Sequence, residues 1–287
     1  HLGKHITGSP SEVVENMAGA ASLISANHVY KIARPDGLTV GHFIGGLFLQ
    51  QLLGRQGIEF DARKFEFLGV PVKDTYSIGL ARGSGITSIE KWIAAQTPVK
   101  IGGTAPGSAT DDIPAVLQAA LGLPMQIVSG YKGTAEIRLA AESGEVAGFC
   151  TGWESFKSTW RKALDAGEAS IIVQAVPKPH PELTKVPLAI NYAKTEEARK
   201  LIQVGAHDPG AIARPFVLPP GTPKDRVQVL RKAFMETLKD SEFVAEAKKS
   251  NLDISPLSGE EVGSIVENLF KIEPALVARL KRVLLPK

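Results

Sequence analysis

The stretch of sequence that decides the fold is Lys100–Asp112, which reads KIGGTAPGSATDD. Apolar residues in Val99–Ile101 indicate a short strand, glycine and small hydroxyl residues follow it, and an amphipathic helix begins near Thr110. A strand that runs through a glycine-rich loop into a helix presents free backbone N–H groups, which bind anions. Many such loops are only turns between strand and helix, so the segment alone leaves both interpretations open.

Two further loops of the same kind follow along the chain. The strand Met125–Val128 precedes the loop Ser129–Thr134, the strand Val146–Cys150 precedes the loop Thr151–Ser155, and a fourth strand covers Ile171–Val176. Short strands that alternate with helices predict βαβ units and a parallel sheet. Ligands bind beyond the carboxyl ends of parallel strands. We therefore expect the three loops to converge on one crevice.

Composition indicates an α/β protein and argues against nucleic acid as a partner. The chain has 287 residues, of which 44% are hydrophobic and 22% charged, enough for two ordinary domains. Its 33 basic and 30 acidic residues are interspersed and give a net charge of only +3. The single cysteine, Cys150, ends a predicted buried strand and is interpreted as a core residue rather than a nucleophile.

The flanking segments predict a second lobe that the middle unit interrupts. We expect a strand at Val13–Val14, a helix around residues 23–31 and a strand at Leu38–Phe43. After the middle unit, Ala211–Leu218 is interpreted as a strand that returns to the first lobe, followed by helices. The predicted division is residues 1–96 for the first part of lobe 1, 97–214 for the inserted lobe 2, and 215–287 for the C-terminal helical part of lobe 1.

Patterns at helix starts support this division. The spacing Thr87-x-x-Glu90 predicts a capping box just before the middle unit, and Ser258-x-x-Glu261 predicts another near the C-terminus. Residues 1–8 have the pattern of the end of an amphipathic helix, and the sequence begins with His1. The first strand of lobe 1 and its loop are accordingly expected upstream of His1.

Short motifs spread over nearly the whole chain point to one family. They are Val14–Ala20, Arg34–Thr39, Phe60–Phe65, Gly103–Ser108, Tyr131–Gly133, Gly144–Val146, Val186–Leu188 and Pro219–Pro223. In this order the motifs resemble the substrate-binding components of the tripartite tricarboxylate transporters, the Bug-type periplasmic receptors. The resemblance implies an α/β, two-lobed, periplasmic-binding-protein-like clamshell, in which each lobe is a mainly parallel sheet flanked by helices.

The same resemblance implies a function. The protein would be a monomeric periplasmic receptor that captures a small carboxylate between its lobes and delivers it to the integral-membrane permease subunits of a tripartite transporter. It would need no cofactor or metal and would not be an enzyme. Backbone N–H groups and hydroxyls of facing loops would hold the carboxylate. The family's first-lobe loop has no counterpart after His1.

The candidate ligand-binding residues lie mainly on two of the glycine loops. The first loop contributes N–H and hydroxyl donors from Gly103, Thr104, Ala105, Gly107 and Ser108, and the second contributes Tyr131, Lys132 and Gly133. His42 is a further candidate, although a histidine in a loop is often only solvated. Trp153 is either a packing residue at the rim or a platform for an aromatic acid. Glu154 either caps the next helix or binds an amine or hydroxyl.

Other functions remain as alternatives. The sequence lacks the common motifs of hydrolases, metalloenzymes and nucleotide-binding loops, and its six histidines show no metal-ligand spacing. An enzyme on the same fold would need a nucleophile and a base, and Ser108 with His42 is the only pair to suggest. A sensor that signals to a histidine kinase is a third interpretation, which sequence does not separate from the first.

Overall fold

A computed structural model describes residues 1–250 and 252–285 of the chain. Its strands are β1 Gly41–His42, β2 Glu66–Val70, β3 Tyr76–Ala81, β4 Val99–Gly102, β5 Met125–Val128, β6 Gly148–Gly152, β7 Ala169–Gln174, β8 Phe216–Leu218 and β9 Leu257–Ser258. Its α-helices are α1 Leu23–Lys31, α2 Gly46–Leu52, α3 Ile89–Ile93, α4 Ala109–Leu121, α5 Thr134–Glu142, α6 Trp153–Thr159, α7 Arg161–Asp165, α8 Glu196–Ile202, α9 Asp208–Ala211, α10 Lys224–Thr237, α11 Ser241–Lys249, α12 Gly259–Leu269 and α13 Pro274–Leu284.

Shorter helical turns complete the described structure. The 3-10 helices are Leu2–His5, Ala62–Lys64, Arg82–Ser84, Pro181–Leu183 and Ala189–Tyr192, and a π-helix covers Gln203–His207 between α8 and α9. None of the described helices is both long and apolar enough to cross a lipid bilayer.

The chain forms two compact units, each with its own sheet. Unit 1 comprises His1–Lys73 and Ala211–Ile272, and unit 2 comprises Asp74–Gly210 and Glu273–Lys287. These limits differ from the predicted division. Strand β3 and helix α3 lie in unit 2 because β3 pairs with β6 and β7, and α13 lies in unit 2 because it packs against α4.

The sheet of unit 1 has the order β1-β8-β2-β9, and every pairing described in it is antiparallel. The expectation that this sheet is mainly parallel is wrong. Strands β1 and β2 do run in the same direction, but β8 returns to this unit, as predicted, and inserts between them with the opposite direction. Hydrophobic periodicity identifies strands and says nothing about which strand lies between two others.

The start of unit 1 departs further from the sequence-based expectation. Val13 and Val14 lie in an irregular segment and are 85% and 87% exposed, so the strand predicted there does not form. A strand needs a neighbour to satisfy its backbone hydrogen bonds, and no described strand pairs with this one. The predicted helix is present as α1, and only Gly41–His42 of the next predicted strand is paired.

The core of unit 1 lies between its sheet and the C-terminal helices. Helix α10 buries Val227, Leu230 and Phe234 against Leu68 and Leu218 of the sheet, as its helical spacing indicates. The capping box predicted for α12 is present: Ser258 Oγ accepts from the Glu261 N–H, and the Glu261 carboxylate accepts from the Ser258 N–H. For α3, by contrast, the capping residue is Ser88 rather than Thr87.

The sheet of unit 2 has the order β5-β4-β6-β3-β7. Strands β5, β4 and β6 are parallel, and β7 runs with them because both β6 and β7 pair antiparallel with β3. The predicted βαβ units are therefore present, with β3 inserted between two of the strands. Gly148 permits this close pairing, since a Cβ atom there would lie 2.0 Å from the Gly79 carbonyl oxygen.

Aromatic residues build the core of unit 2 around Phe149, Phe156 and Trp160, whose rings lie 4.9 to 6.0 Å apart. Cys150 of β6 is fully buried in the same sheet, and burial raises the pKa of its thiol. The thiolate is the nucleophilic form of cysteine. The prediction that Cys150 is a core residue is thus confirmed.

Candidate functional site

Two of the three glycine loops lie side by side at the carboxyl edge of the sheet in unit 2. The Gly103 N–H donates to the Val128 carbonyl at 2.9 Å, the Gly130 N–H to the Thr104 carbonyl at 3.2 Å, and the Tyr131 N–H to the Gly103 carbonyl at 3.2 Å. These bonds extend the parallel pairing of β4 with β5 beyond the strands. The sequence predicts that three loops converge, and this register explains why the first two lie together. The third predicted loop, Thr151–Ser155, does not form, because β6 continues to Gly152 and α6 begins at Trp153.

Three hydroxyl groups form a triangle inside the first loop. Thr104 Oγ1 lies 2.8 Å from Ser108 Oγ and 2.9 Å from Thr110 Oγ1, and the last two atoms are 2.8 Å apart. Thr110 Oγ1 also accepts from the Thr104 N–H at 3.0 Å. Thr110, which is not among the candidates predicted from the sequence, therefore belongs to the same cluster as the candidates Thr104 and Ser108.

Two buried carboxylates close the cluster at the start of α4. Asp111 is 6% exposed and accepts hydrogen bonds from the hydroxyls of Ser129, Thr110 (2.9 Å) and Ser108 (3.2 Å). Asp112 is 8% exposed and accepts from the Gly107 N–H at 2.8 Å. Carboxylates in the first turn favour the helix dipole, as the sequence suggests, and here they also serve as acceptors for the loop.

Each hydroxyl has one proton to donate, and these protons have acceptors within the protein. Ser129 and Thr110 donate to Asp111, Ser108 donates to the Ala105 carbonyl at 2.7 Å or to Asp111, and Thr104 donates to Ser108. Four loop N–H groups are also used, those of Gly103, Thr104, Gly107 and Ser108.

Three backbone N–H groups are left over in this region. The N–H groups of Ala105, Ala109 and Thr110 make no hydrogen bond to any described residue. Ala109 and Thr110 form the first turn of α4, whose N-cap residue, Ser108, provides no side-chain acceptor. The donors open to a ligand are therefore main-chain N–H groups at a helix N-terminus, a geometry that suits an anion.

The three candidate residues of the second loop, Tyr131, Lys132 and Gly133, have different environments. The Tyr131 hydroxyl donates to Glu145 at 2.6 Å, and this bond raises the pKa of Tyr131 to about 12. The Lys132 N–H donates to Glu136 at 2.6 Å, while the Lys132 side chain is exposed. Gly133 is the N-cap residue of α5. Of the three, Lys132 alone presents a charge to solvent.

Trp153 follows β6 and is only 8% exposed, with its ring in the core of unit 2. Its indole N–H donates to Glu182, and its backbone N–H donates to the Thr75 carbonyl at 2.9 Å. Beside it, the ammonium of Lys157 lies 3.0 Å from Glu154 and 3.1 Å from Glu182. Packing therefore accounts for Trp153, and an ion pair within α6 accounts for Glu154.

His42 lies in unit 1, on the edge strand β1. Its ring stacks on Phe216 with 4.8 Å between centroids, and Nδ1 lies 3.1 Å from the Pro215 carbonyl oxygen. A carbonyl oxygen only accepts, so Nδ1 carries a proton and donates. This bond and the stacking fix the imidazole ring against β8.

A second group of polar residues in unit 1 was not anticipated as a cluster. His1, Asp240 and Glu242 offer ligand atoms close enough for one metal ion. The Lys4 ammonium, however, already lies 3.2 Å from Asp240 and 2.7 Å from Glu242. It supplies the positive charge that these carboxylates require, so we assign no metal to them.

Sequence comparison identifies no family model and no curated relative for this chain. Comparison with solved structures, in contrast, finds proteins of similar fold. A TctC solute-binding protein from Polaromonas is 17% identical, with a TM-score of 0.68 over 93% of this chain and 86% of that one. An R. palustris protein with adipate is 20% identical, with a TM-score of 0.71 over 96% and 87%.

A third solved structure is MatC from Rhodopseudomonas palustris with bound malate. It is 18% identical to this chain, with a TM-score of 0.66 over 94% of this chain and 87% of MatC. The periplasmic binding protein BugD is likewise similar, at 20% identity, with a TM-score of 0.67 over 94% of this chain and 86% of BugD. At identities this low, the TM-scores establish a common fold and nothing further. The resemblance indicated by the sequence motifs is thus confirmed at the level of structure: the chain has the α/β fold of the TctC-type and Bug-type solute-binding proteins.

Proposed function

We propose that the protein is a receptor that binds a small carboxylate on the open N–H groups of Ala105, Ala109 and Thr110. Ala109 and Thr110 lie at the N-terminus of α4, the longest helix of unit 2, and Ala105 lies in the loop before it; no described residue accepts from the three N–H groups. The positive end of a helix favours an anion, and each hydrogen bond to an ionised partner contributes roughly 1.5–3 kcal/mol. This set of open donors is the observation that carries the proposal.

The hydroxyl cluster has a positioning role in this proposal. Asp111 receives the protons of Ser129 and Thr110 and holds the loop against α4. A ligand carboxylate that approached the hydroxyls would meet oxygen lone pairs, because their protons point to protein acceptors. We therefore propose that the main chain binds the ligand. The hydroxyl groups and Asp111 hold the loop in its shape.

The fold supports the class of ligand. Two solved proteins of this fold hold adipate and malate, which are dicarboxylates. A dicarboxylate or a related small organic acid is accordingly the proposed ligand. By the same likeness we propose a periplasmic location and delivery to the permease subunits of a tripartite transporter, with the protein acting as a monomer that binds without chemical conversion.

Isothermal titration with adipate, malate and citrate tests the proposal, with butylamine as a cationic control. A ligand present at about one hundred times its dissociation constant should also add roughly 2.7 kcal/mol to the free energy of unfolding. Gly107→Val should weaken binding at least about tenfold. Gly107 has φ +93°, and a β-branched side chain resists this conformation and blocks approach to the backbone.

Gly122→Val is the matched control. Gly122 lies at the other end of α4, has φ +69°, and has open space around the position of a Cβ atom. The Gly122→Val variant therefore introduces a similar backbone strain at the opposite end of α4, away from the loop. If the Gly107→Val and Gly122→Val variants bind the carboxylate equally well, the loop is an ordinary turn and the proposal is wrong.

A further inference from the structure

A cavity lies in unit 2, at the amino edge of its parallel strands. It has a volume of about 770 Å³ and is lined by residues that include Arg82, Lys100, Val146, Trp160, Ala163 and Glu168. Arg82 follows the antiparallel strand β3, Lys100 lies near the start of β4, and Glu168 directly precedes β7. The loops of the proposed carboxylate site follow the other ends of β4 and β5, so the two sites are separate.

The acidic and the basic side chains at this cavity differ in their hydrogen-bond partners. The carboxylate of Glu142 receives two hydrogen bonds from Arg138, at 2.8 and 2.9 Å, and that of Glu145 accepts from Tyr131 at 2.6 Å. The side chains of Arg82 and Lys100, in contrast, make no ion pair with any residue in the described part of the chain. Two of the cavity's three glutamate carboxylates, those of Glu142 and Glu145, are thus engaged, Glu168 is the third, and neither cation has a carboxylate partner among the described residues.

Trp160 supplies a second, independent observation. This residue is 2% exposed, lines the cavity, and stacks against Phe156 on the core side. Its indole N–H is buried and has no acceptor among the residues that the structure describes. Buried donors in folded proteins almost always have a partner. An acceptor atom from outside the chain would complete the hydrogen bonding of Trp160.

We propose that this cavity is a second binding site, for a small organic anion with an apolar body. Arg82 and Lys100 bind the carboxylate, Val146 and Ala163 contact the apolar part, and an oxygen of the ligand accepts from the Trp160 indole. The guanidinium of Arg82 presents a fork of N–H donors that matches a carboxylate. This inference is independent of the proposed function at the first glycine loop.

The test uses the indole N–H signals of the ¹⁵N-labelled protein, titrated with benzoate or hexanoate. The protein has three tryptophans. Trp92 donates to the Pro124 carbonyl and Trp153 to Glu182, so their signals serve as internal references. Trp160→Phe identifies the signal of Trp160 by its loss. We expect the Trp160 signal to shift and saturate with either anion, and to stay in place with benzylamine.

Arg82→Gln should weaken this response about tenfold, as loss of a charged hydrogen bond predicts. Arg161→Gln is the matched control, since Arg161 is an exposed arginine of the same unit that pairs with Asp165 outside the cavity. Gly107→Val should leave the response unchanged, which separates this site from the one at the glycine loop. A failure of adipate to bind at that loop would not alter the expected Trp160 response.

Two results would overturn the inference. One is a Trp160 signal that does not move at anion concentrations tenfold above a millimolar dissociation constant. The other is a shift that is equal in the wild type and in Arg82→Gln, because the anion would then act without the cation that defines the site.

Discussion

The carboxylate of Asp111 fills the space beside Gly103: a Cβ atom on Gly103 would lie 2.6 Å from Asp111 Oδ2. This close approach lets Asp111 reach across the loop to the hydroxyl of Ser129, which follows the neighbouring strand. The glycine and the aspartate therefore determine the loop's shape together, although the sequence suggested a separate reason for each.

Gly103→Ala should destabilise the protein by about 1–3 kcal/mol, the usual cost of an overpacked buried position. The added methyl group must displace Asp111, so adipate binding should weaken as well. Gly83→Ala is the control, because a Cβ atom at Gly83 meets nothing within 4 Å. Urea denaturation measures the free energy of unfolding of both variants, and equal values for the two would contradict the packing argument.

Ser108→Ala separates main-chain from hydroxyl recognition of the ligand. The Ser108 hydroxyl is bonded to the Ala105 carbonyl and lies against Thr104 and Thr110. Its loss should lower the free energy of unfolding by about 1 kcal/mol and leave the dissociation constant for adipate within about threefold of the wild type. A loss of affinity above about tenfold, with stability unchanged, would mean that the hydroxyl donates to the ligand.

The stability of the protein should depend on pH through His207, the last residue of the π-helix, and Asp208, which follows it. Burial lowers the pKa of His207 from 6.5 to about 4 and raises the pKa of Asp208 from 3.8 to about 6. Between pH 6.5 and 4 the unfolded chain binds a proton at His207 that the folded chain excludes, so acidification costs stability there. Between pH 6 and 3.8 the folded chain binds a proton more readily at Asp208, so this carboxyl favours unfolding above pH 6.

Asp208→Asn removes the buried carboxyl that favours unfolding above pH 6. It should stabilise the protein at pH 8 by roughly 1–2 kcal/mol, after allowance for solvent screening, and the gain should shrink as the pH approaches 4. His207→Gln should instead reduce the loss of stability on going from pH 7 to pH 4.5. Urea denaturation at several pH values measures both. A gain for Asp208→Asn that is the same at pH 8 and pH 4 would contradict the titration.

Binding without turnover is the remaining prediction. Nucleophilic catalysis by a hydroxyl needs a base that takes its proton, and the Ser108 hydroxyl donates within its own loop, to the Ala105 carbonyl at 2.7 Å or to Asp111 at 3.2 Å. Mass spectrometry of adipate, malate and citrate after prolonged incubation with the protein should return each compound unchanged. Conversion that disappears in Ser108→Ala or in His42→Ala would assign an enzymatic function to the chain.

Sequence alone determined the elements whose residues carry their own local pattern. Strand β5 has the predicted bounds Met125–Val128, α1 covers the predicted helix, and the capping box at Ser258 and Glu261 is present. Periodicity and end residues suffice for these features because the interactions involved span only a few residues. The glycine loop after β4 was recognisable for the same reason.

Tertiary structure decided what depends on partners far apart in sequence. The pairing of β3 with β6 and β7 assigned it to unit 2, and the insertion of β8 made the sheet of unit 1 antiparallel. Val13 and Val14 have the residues of a strand, but no strand in the described part of the chain pairs with them. The bond from the Ser129 hydroxyl to Asp111 likewise joins the loop after β5 to the first turn of α4. Direction, register and hydrogen-bond partners are set by packing between distant segments, and local residue patterns do not encode them.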